Sequence, residues 1–103
     1  MGKLPRCKSC GGLLRPQVVW FGEALDPDLL GRAVDSSRSC QVMLIIGTSG
    51  LVEPASSLAF EAKSGGAALA EINIERTPNS GLMDFMIRGK AGSVLPKILE
   101  GWK

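Results

Sequence analysis

The chain has 103 residues, and 12 Lys and Arg against 10 Asp and Glu give it a net charge of +2. That length allows one domain at most, the charge is too small to argue for direct nucleic-acid binding, and no apolar run approaches the roughly 18 residues of a membrane span. There is no histidine, which excludes Ser-His, Cys-His and His-ligated zinc chemistry from these residues alone.

The first segment, residues 1–16, is organised by Cys7-Lys8-Ser9-Cys10-Gly11-Gly12. A CxxC followed by two glycines resembles one knuckle of a zinc ribbon, in which the glycines let the backbone aim N–H groups at sulfur. A closed tetrahedral site needs two more ligands, and Cys40 stands alone before an apolar run, where it reads as a small core residue. A redox pair and a plain solvent-exposed turn are the competing readings of Cys7 and Cys10. The odd cysteine count fits a reducing compartment, and Met1 to Pro5 lacks the apolar region of a signal peptide, so a cytoplasmic location is expected.

Val18-Val19-Trp20-Phe21 reads as a strand from its β-branched and aromatic content, ended by Gly22. Asp26-Pro27 is a helix start, with Asp as N-cap and Pro at the first helical position. Leu29, Leu30, Ala33 and Val34 mark that helix's apolar face, and Ser36, Ser37 and Ser39 predict fraying. Val42-Met43-Leu44-Ile45-Ile46 is an unbroken apolar run, which predicts a central strand buried on both faces.

That run turns through Gly47-Thr48-Ser49-Gly50, small side chains with free N–H groups. A helix is predicted from about Pro54 to Lys63, stopped by Gly65-Gly66. Ala67 to Asn73 is a second buried strand, followed by Ile74-Glu75 and the loop Thr77-Pro78-Asn79-Ser80-Gly81. Asp84 to Arg88 is a short third strand, and Gly89-Lys90-Ala91-Gly92 leads to a last helix capped by Ser93, with Pro96 placed in its first turn.

Strands alternating with helices predict an α/β fold, a parallel sheet with helices on both faces. The turns that start at Gly47, Asn73 and Gly89 then fall on one edge of the sheet. Ligands of open parallel sheets bind at the carboxyl ends of strands, so the pattern predicts a nucleotide site. GxGxxG is absent.

Cys7-x-x-Cys10, Val18-Val19-Trp20-Phe21-Gly22-Glu23, Gly47-Thr48-Ser49, Asn73-x-Glu75 and Gly89-Lys90-Ala91-Gly92 stand in the order and at similar spacing to the C-terminal part of a sirtuin. The resemblance covers nearly the whole chain. Each motif is weak alone, and five in register are specific. Trp20 before Phe21-Gly22-Glu23 is similar to the subgroup that includes the desuccinylases.

The resemblance implies a partial zinc knuckle over 1–16 and, over 17–103, the C-terminal part of a Rossmann-like NAD-binding domain. The implied activity is NAD-dependent deacylation of protein lysine. Cys7 and Cys10 would be two of four thiolates on a structural Zn2+. Gly47, Thr48 and Ser49 would meet the ribose and phosphate region of NAD, Asn73, Ile74 and Glu75 the adenosine ribose, and Ala91 the adenine. Val19, Phe21, Gly22 and Glu23 would clamp an acylated-lysine peptide against Leu51, Val52 and Glu53. The family's glycine-rich phosphate loop, catalytic histidine and first cysteine pair lie upstream of the matched region, so no catalytic residue is assigned here. The alternative is a stand-alone, non-catalytic nucleotide-binding module whose four-cysteine zinc site is shared across a homodimer.

Overall fold

The computed structural model describes residues 2–102. The elements run α1 (Pro27–Ser39), β1 (Val42–Ile46), a 3-10 turn (Ala55–Ser57), α2 (Leu58–Ser64), β2 (Ala68–Asn73), a second 3-10 turn (Ser80–Leu82), β3 (Phe85–Arg88) and α3 (Ala91–Glu100). The three strands form one parallel sheet in the order β1-β2-β3. All three therefore end at the same edge, as the sequence pattern predicts.

α1 begins as its sequence dictates. The Asp26 carboxylate accepts from the N–H groups of Asp28 and Leu29, and Pro27 opens the helix. The serine-rich end does not fray. Ser37 is buried and donates to the carbonyl of Ala33 at 2.8 Å, and Cys40 Sγ lies 3.1 Å from the carbonyl of Ser37. The hydroxyl takes its partner within the helix, so burial carries no unmet polar group. α1 packs on α2, and Arg38 pairs with Glu61 between them at 2.6 Å. At Gly65, just past the end of α2, an added Cβ would run into the backbone carbonyl of Arg38.

The core lies on one face of the sheet. Ala59 and Ala62 of α2 meet Ala67 and Leu69, and Cys40, Met43, Ile45, Leu82 and Met83 pack around them. Cys40 is thus the small core residue its position predicts.

Five expectations need correction. β1 is not central: it is an edge strand, and only alternate residues are sheltered. Val42 and Leu44, in register with Ala68 and Ala70 on the second face, are 61% and 55% exposed. Helices therefore do not cover both faces fully, since α3 packs against β2 and leaves this part of the second face open. A run of apolar residues reports that both faces are apolar, not that both are covered.

Val18 to Phe21 is not a strand. Among the described residues it pairs with no strand, and β-propensity without a partner strand does not make one. The helix expected from Pro54 starts as a 3-10 turn and becomes α-helical only at Leu58. The last helix starts at Ala91 with Lys90 as N-cap, so Ser93 is inside it and Pro96 is mid-helix. Pro96 has no N–H to give the carbonyl of Gly92, and Gly92 is exposed, where water can serve that group.

Candidate functional site

The carboxyl ends of β1 and β2 build a two-walled cavity. One wall starts at Gly47, whose N–H donates to the carbonyl of Ile72 at 2.9 Å. Gly47 and Gly50 both have positive φ, at 65° and 68°, a backbone region that favours glycine. Between them the hydroxyls fold back on their own loop: Thr48 Oγ1 accepts from Gly50 N–H and Ser49 Oγ from Leu51 N–H, each at 3.3 Å.

The other wall starts at Asn73, the last residue of β2. Its Nδ2 donates to the carbonyl of Thr48 at 2.7 Å, and its Oδ1 accepts from Glu75 N–H at 3.3 Å. One side chain thereby ties both loops together. The cavity has a volume of about 400 Å³ and is lined by Gly47, Thr48, Ser49 and Leu51 on one side and by Asn73 to Pro78 on the other. Every residue assigned to the cofactor from sequence lines it except Ala91, which opens α3 beyond the next strand end. Arg76 and Thr77 line it too. Sequence reasoning passed over them, although a cation beside a hydroxyl loop is itself a signal for an anionic ligand.

A second groove of about 230 Å³ lies between Val19 to Glu23 with Leu25 and the segment Val52 to Ala55. These are the two segments expected to clamp a peptide. Leu51 lines the first cavity, and Val52 and Glu53 line the second, so one loop serves both. The groove's Val19–Glu23 segment is tied to Arg15, which pairs with Glu23 at 2.8 Å and stacks over the Trp20 ring at 3.9 Å. Phe21 is 90% exposed, an aromatic side chain that no described residue covers. Glu53 accepts from the hydroxyl of Ser57. Hydrogen bonding with Ser56 and then Ser57 lowers its pKa and keeps the carboxylate ionised.

Cys7 and Cys10 lie in a tight turn. Cys7 N–H donates to Gly12 carbonyl at 2.8 Å, Gly11 N–H donates to Cys7 carbonyl at 2.9 Å, and Arg6 bridges to Leu13. The Cys7 thiol is shifted down, first by the backbone N–H of Cys10 and then by that of Ser9. N–H groups aimed at sulfur suit a thiolate ligand. No group of three or more His, Cys, Asp or Glu that could hold a metal occurs among the described residues. The turn fits half of a four-thiolate site and no more.

Behind the cavity sits a residue that sequence reading left unassigned. Glu71 of β2 is fully buried. Its Oε1 accepts from Ser80 Oγ at 2.6 Å and Arg88 Nη1 at 3.0 Å, and its Oε2 from Thr77 Oγ1 at 2.9 Å. Burial pushes the carboxyl up, but hydrogen bonds from Ser80, Arg88 and Thr77 outweigh it, and the net shift is downward. The signal was available: Glu71 is the one charged residue of β2, between the apolar Ala68–Ala70 and Ile72.

Residues 1–54, just over half the chain, match the model of the Sir2 family. The chain belongs to the Sir2 family. It is 49% identical over 98 residues to an NAD-dependent protein deacylase of Pyrococcus furiosus, a match that covers 95% of this chain and 39% of that relative. A Sir2 homologue crystallised as an NAD complex superposes with a TM-score of 0.85 at 45% identity, covering 96% of this chain and 39% of that one. A Sir2 structure with a p53 peptide and NAD+ superposes at 0.84 and 28% identity, covering 96% and 41%. The Sir2 chain described here therefore spans about 39% of the length of the relatives it matches.

Proposed function

We propose that this chain supplies the NAD-adenosine site and the peptide clamp of an NAD-dependent protein-lysine deacylase. The observation that carries the reading is the meeting of Gly47-Thr48-Ser49 with Asn73-Ile74-Glu75 around one cavity, beside the groove between residues 19–23 and 52–55. A hydroxyl loop, an amide and a carboxylate suit a ribose, because each offers a hydrogen bond that a hydroxyl can match. Two facing loops with exposed apolar and backbone groups suit an extended peptide. Relatives captured with NAD and with a peptide support the assignment of each ligand.

Ala91 stands at the third strand end and is assigned to adenine on the resemblance alone. Cys7 and Cys10 are assigned two of the four thiolate positions of a structural Zn2+, which would lock the knuckle of residues 1–16. Trp20 beside Phe21 supports the desuccinylase-type subgroup. Cytoplasmic location belongs to the same reading and rests on the odd cysteine count alone. The stand-alone nucleotide-binding module is the weaker reading, since a nucleotide binder has no use for the second groove.

No imidazole exists in these 103 residues. A general base contributes about 10²–10⁴-fold, and Glu23 and Glu75 are committed to Arg15 and to the cavity wall. The test compares the chain alone with the chain joined to the upstream half of a Sir2 relative, on acetyl- and succinyl-lysine peptides with NAD. Turnover is expected only from the joined protein. Turnover by the purified chain, or none after joining a correctly folded half, would overturn the reading.

A further inference from the structure

Glu71 lies in the most shielded part of the sheet, where an apolar side chain of similar volume would fill the space without a desolvation penalty. Its neighbours Leu69 and Ile72 are buried and apolar. All its hydrogen bonds go to segments beyond β2: Thr77 and Ser80 in the loop after the cavity wall, and Arg88 at the end of β3. Glu71 does not itself line the cavity. It sits two residues before Asn73, hence on the same face of the strand, directly behind the wall that Asn73 begins.

The loop it holds is tied at several points. Thr77 N–H donates to Ser80 Oγ at 2.8 Å, and Asn79 N–H to Thr77 Oγ1 at 3.3 Å. Asn79 Nδ2 donates to the carbonyl of Ser56 at 3.1 Å, beyond the Val52–Ala55 side of the groove. Gly50, in the loop that forms the opposite wall, lies beside the same residues: a Cβ added there would sit 3.5 Å from both Thr77 Oγ1 and Asn79 Nδ2. Thr77 is therefore placed next to both loops.

We propose that Glu71 is a positioning residue for the nucleotide cavity, holding the Asn73–Pro78 wall and, through Thr77 and Asn79, the Gly47–Gly50 loop in the geometry that accepts a ribose. This rests on the reading of that cavity as the adenosine site. Glu71 touches no ligand; it acts through Thr77 and Ser80. Three donors converge on two oxygens, so the carboxylate fixes the loop where an apolar side chain would only fill space.

The test titrates ADP-ribose into the full chain by NMR, for wild type, Glu71→Leu, Glu71→Gln, Ser80→Ala and, as control, Asn73→Ala. Thermal midpoints and amide exchange at Thr77 and Asn79 are measured alongside. Glu71→Leu is expected to lower the midpoint, because Ser80, Thr77 and Arg88 lose their acceptor, to speed exchange at both amides, and to weaken ADP-ribose about tenfold, the scale of one lost well-placed contact. Glu71→Gln, which keeps the shape and one acceptor oxygen, is expected to recover most of the affinity. Should Glu71→Leu fail to fold, Ser80→Ala removes one donor from the same carboxylate, and the same local loosening with weaker binding is expected. Wild-type affinity in a folded Glu71→Leu or in Ser80→Ala would overturn the proposal. If wild type bound ADP-ribose but Asn73→Ala made no difference, or if wild type bound none, the cavity reading would fall. Unchanged exchange at Thr77 would then separately remove Glu71's hold on the wall.

Discussion

Asn73 donates its side-chain amide to the backbone carbonyl of Thr48 at 2.7 Å, joining residues 25 apart in sequence across the mouth of the cavity. The same side chain accepts from Glu75 N–H. The two loops therefore share one hinge pin, and the hydroxyl loop cannot move away from the Asn73–Pro78 wall without breaking it. Because both bonds hold protein to protein, Asn73 sets the width of the cavity whether or not its atoms touch ligand.

Asn73→Ala should therefore weaken ADP-ribose by about tenfold, a loss of roughly 1.4 kcal/mol. Asn73→Asp should be worse, since a carboxylate can still accept from Glu75 N–H but faces the Thr48 carbonyl with no proton to give. On the proposed reading this chain contributes only the adenosine part of an NAD site, so NAD itself should bind nearer ~1 mM than ~1 μM. Calorimetry or NMR titration measures all three. Micromolar binding unaffected by either substitution would place the nucleotide elsewhere.

Gly65→Ala should destabilise the fold by about 2–4 kcal/mol. The obstacle to the new Cβ is the carbonyl of Arg38, backbone at the end of α1, which cannot step aside as a side-chain tip could. Gly92→Ala is the control, since an added Cβ there meets nothing within 4 Å. Urea unfolding of both variants checks the difference. Equal midpoints would mean that α1 and α2 can separate without cost.

Much of the architecture was legible because local signals agreed. Asp26-Pro27 started α1, Gly65 marked the end of α2, and the strand, turn, helix order placed three strand ends on one edge. The Gly47 and Asn73 loops met as expected because parallel strands leave them no other place. Burial was harder to read. Val42, Leu44 and Ile46 are apolar yet partly or largely exposed, because sequence shows what a face prefers and not what covers it. Val18 to Phe21 carried strand propensity without a partner edge. The Glu71 network escaped notice because its donors come from positions 77, 80 and 88, brought together only by the loop that closes over β2.

Acid should undo the fold through two carboxylates. Hydrogen bonds hold Glu71 below its ordinary pKa against the opposing effect of burial. Asp84 is lowered first by the backbone N–H of Leu69, which it accepts at 2.8 Å, and then by Lys63. A carboxyl with a depressed folded pKa stabilises the fold above its unfolded pKa, and that contribution is lost as pH falls through the folded value. Stability should be flat from pH 7 to about 5 and decline below about pH 4. Urea midpoints across that range should fall less steeply for Glu71→Gln, whose side chain does not titrate there. An acid slope identical to wild type would remove Glu71 as one of the groups responsible.

The last prediction concerns metal. Cys7 and Cys10 present two sulfurs on one tight turn, and a structural zinc site is closed by four ligands in a tetrahedron. Cys40 cannot join them without leaving its place, since it packs against the α2 core with its sulfur beside the Ser37 carbonyl. Carboxylates do not complete the set among the described residues. A monomer of this chain should therefore hold zinc weakly and lose it to a mild chelator. Two chains could share one ion, each giving two thiolates, and metal content should then be half an ion per chain and rise with the dimer fraction. Elemental analysis across a sizing column decides between these cases, with Cys10→Ser as the control that should abolish both. Joining an upstream half that carries a second cysteine pair should raise content to one ion per monomer. One tightly held zinc per unjoined monomer, surviving Cys10→Ser, would show that the metal sits elsewhere and that the Cys7–Cys10 turn is no ligand.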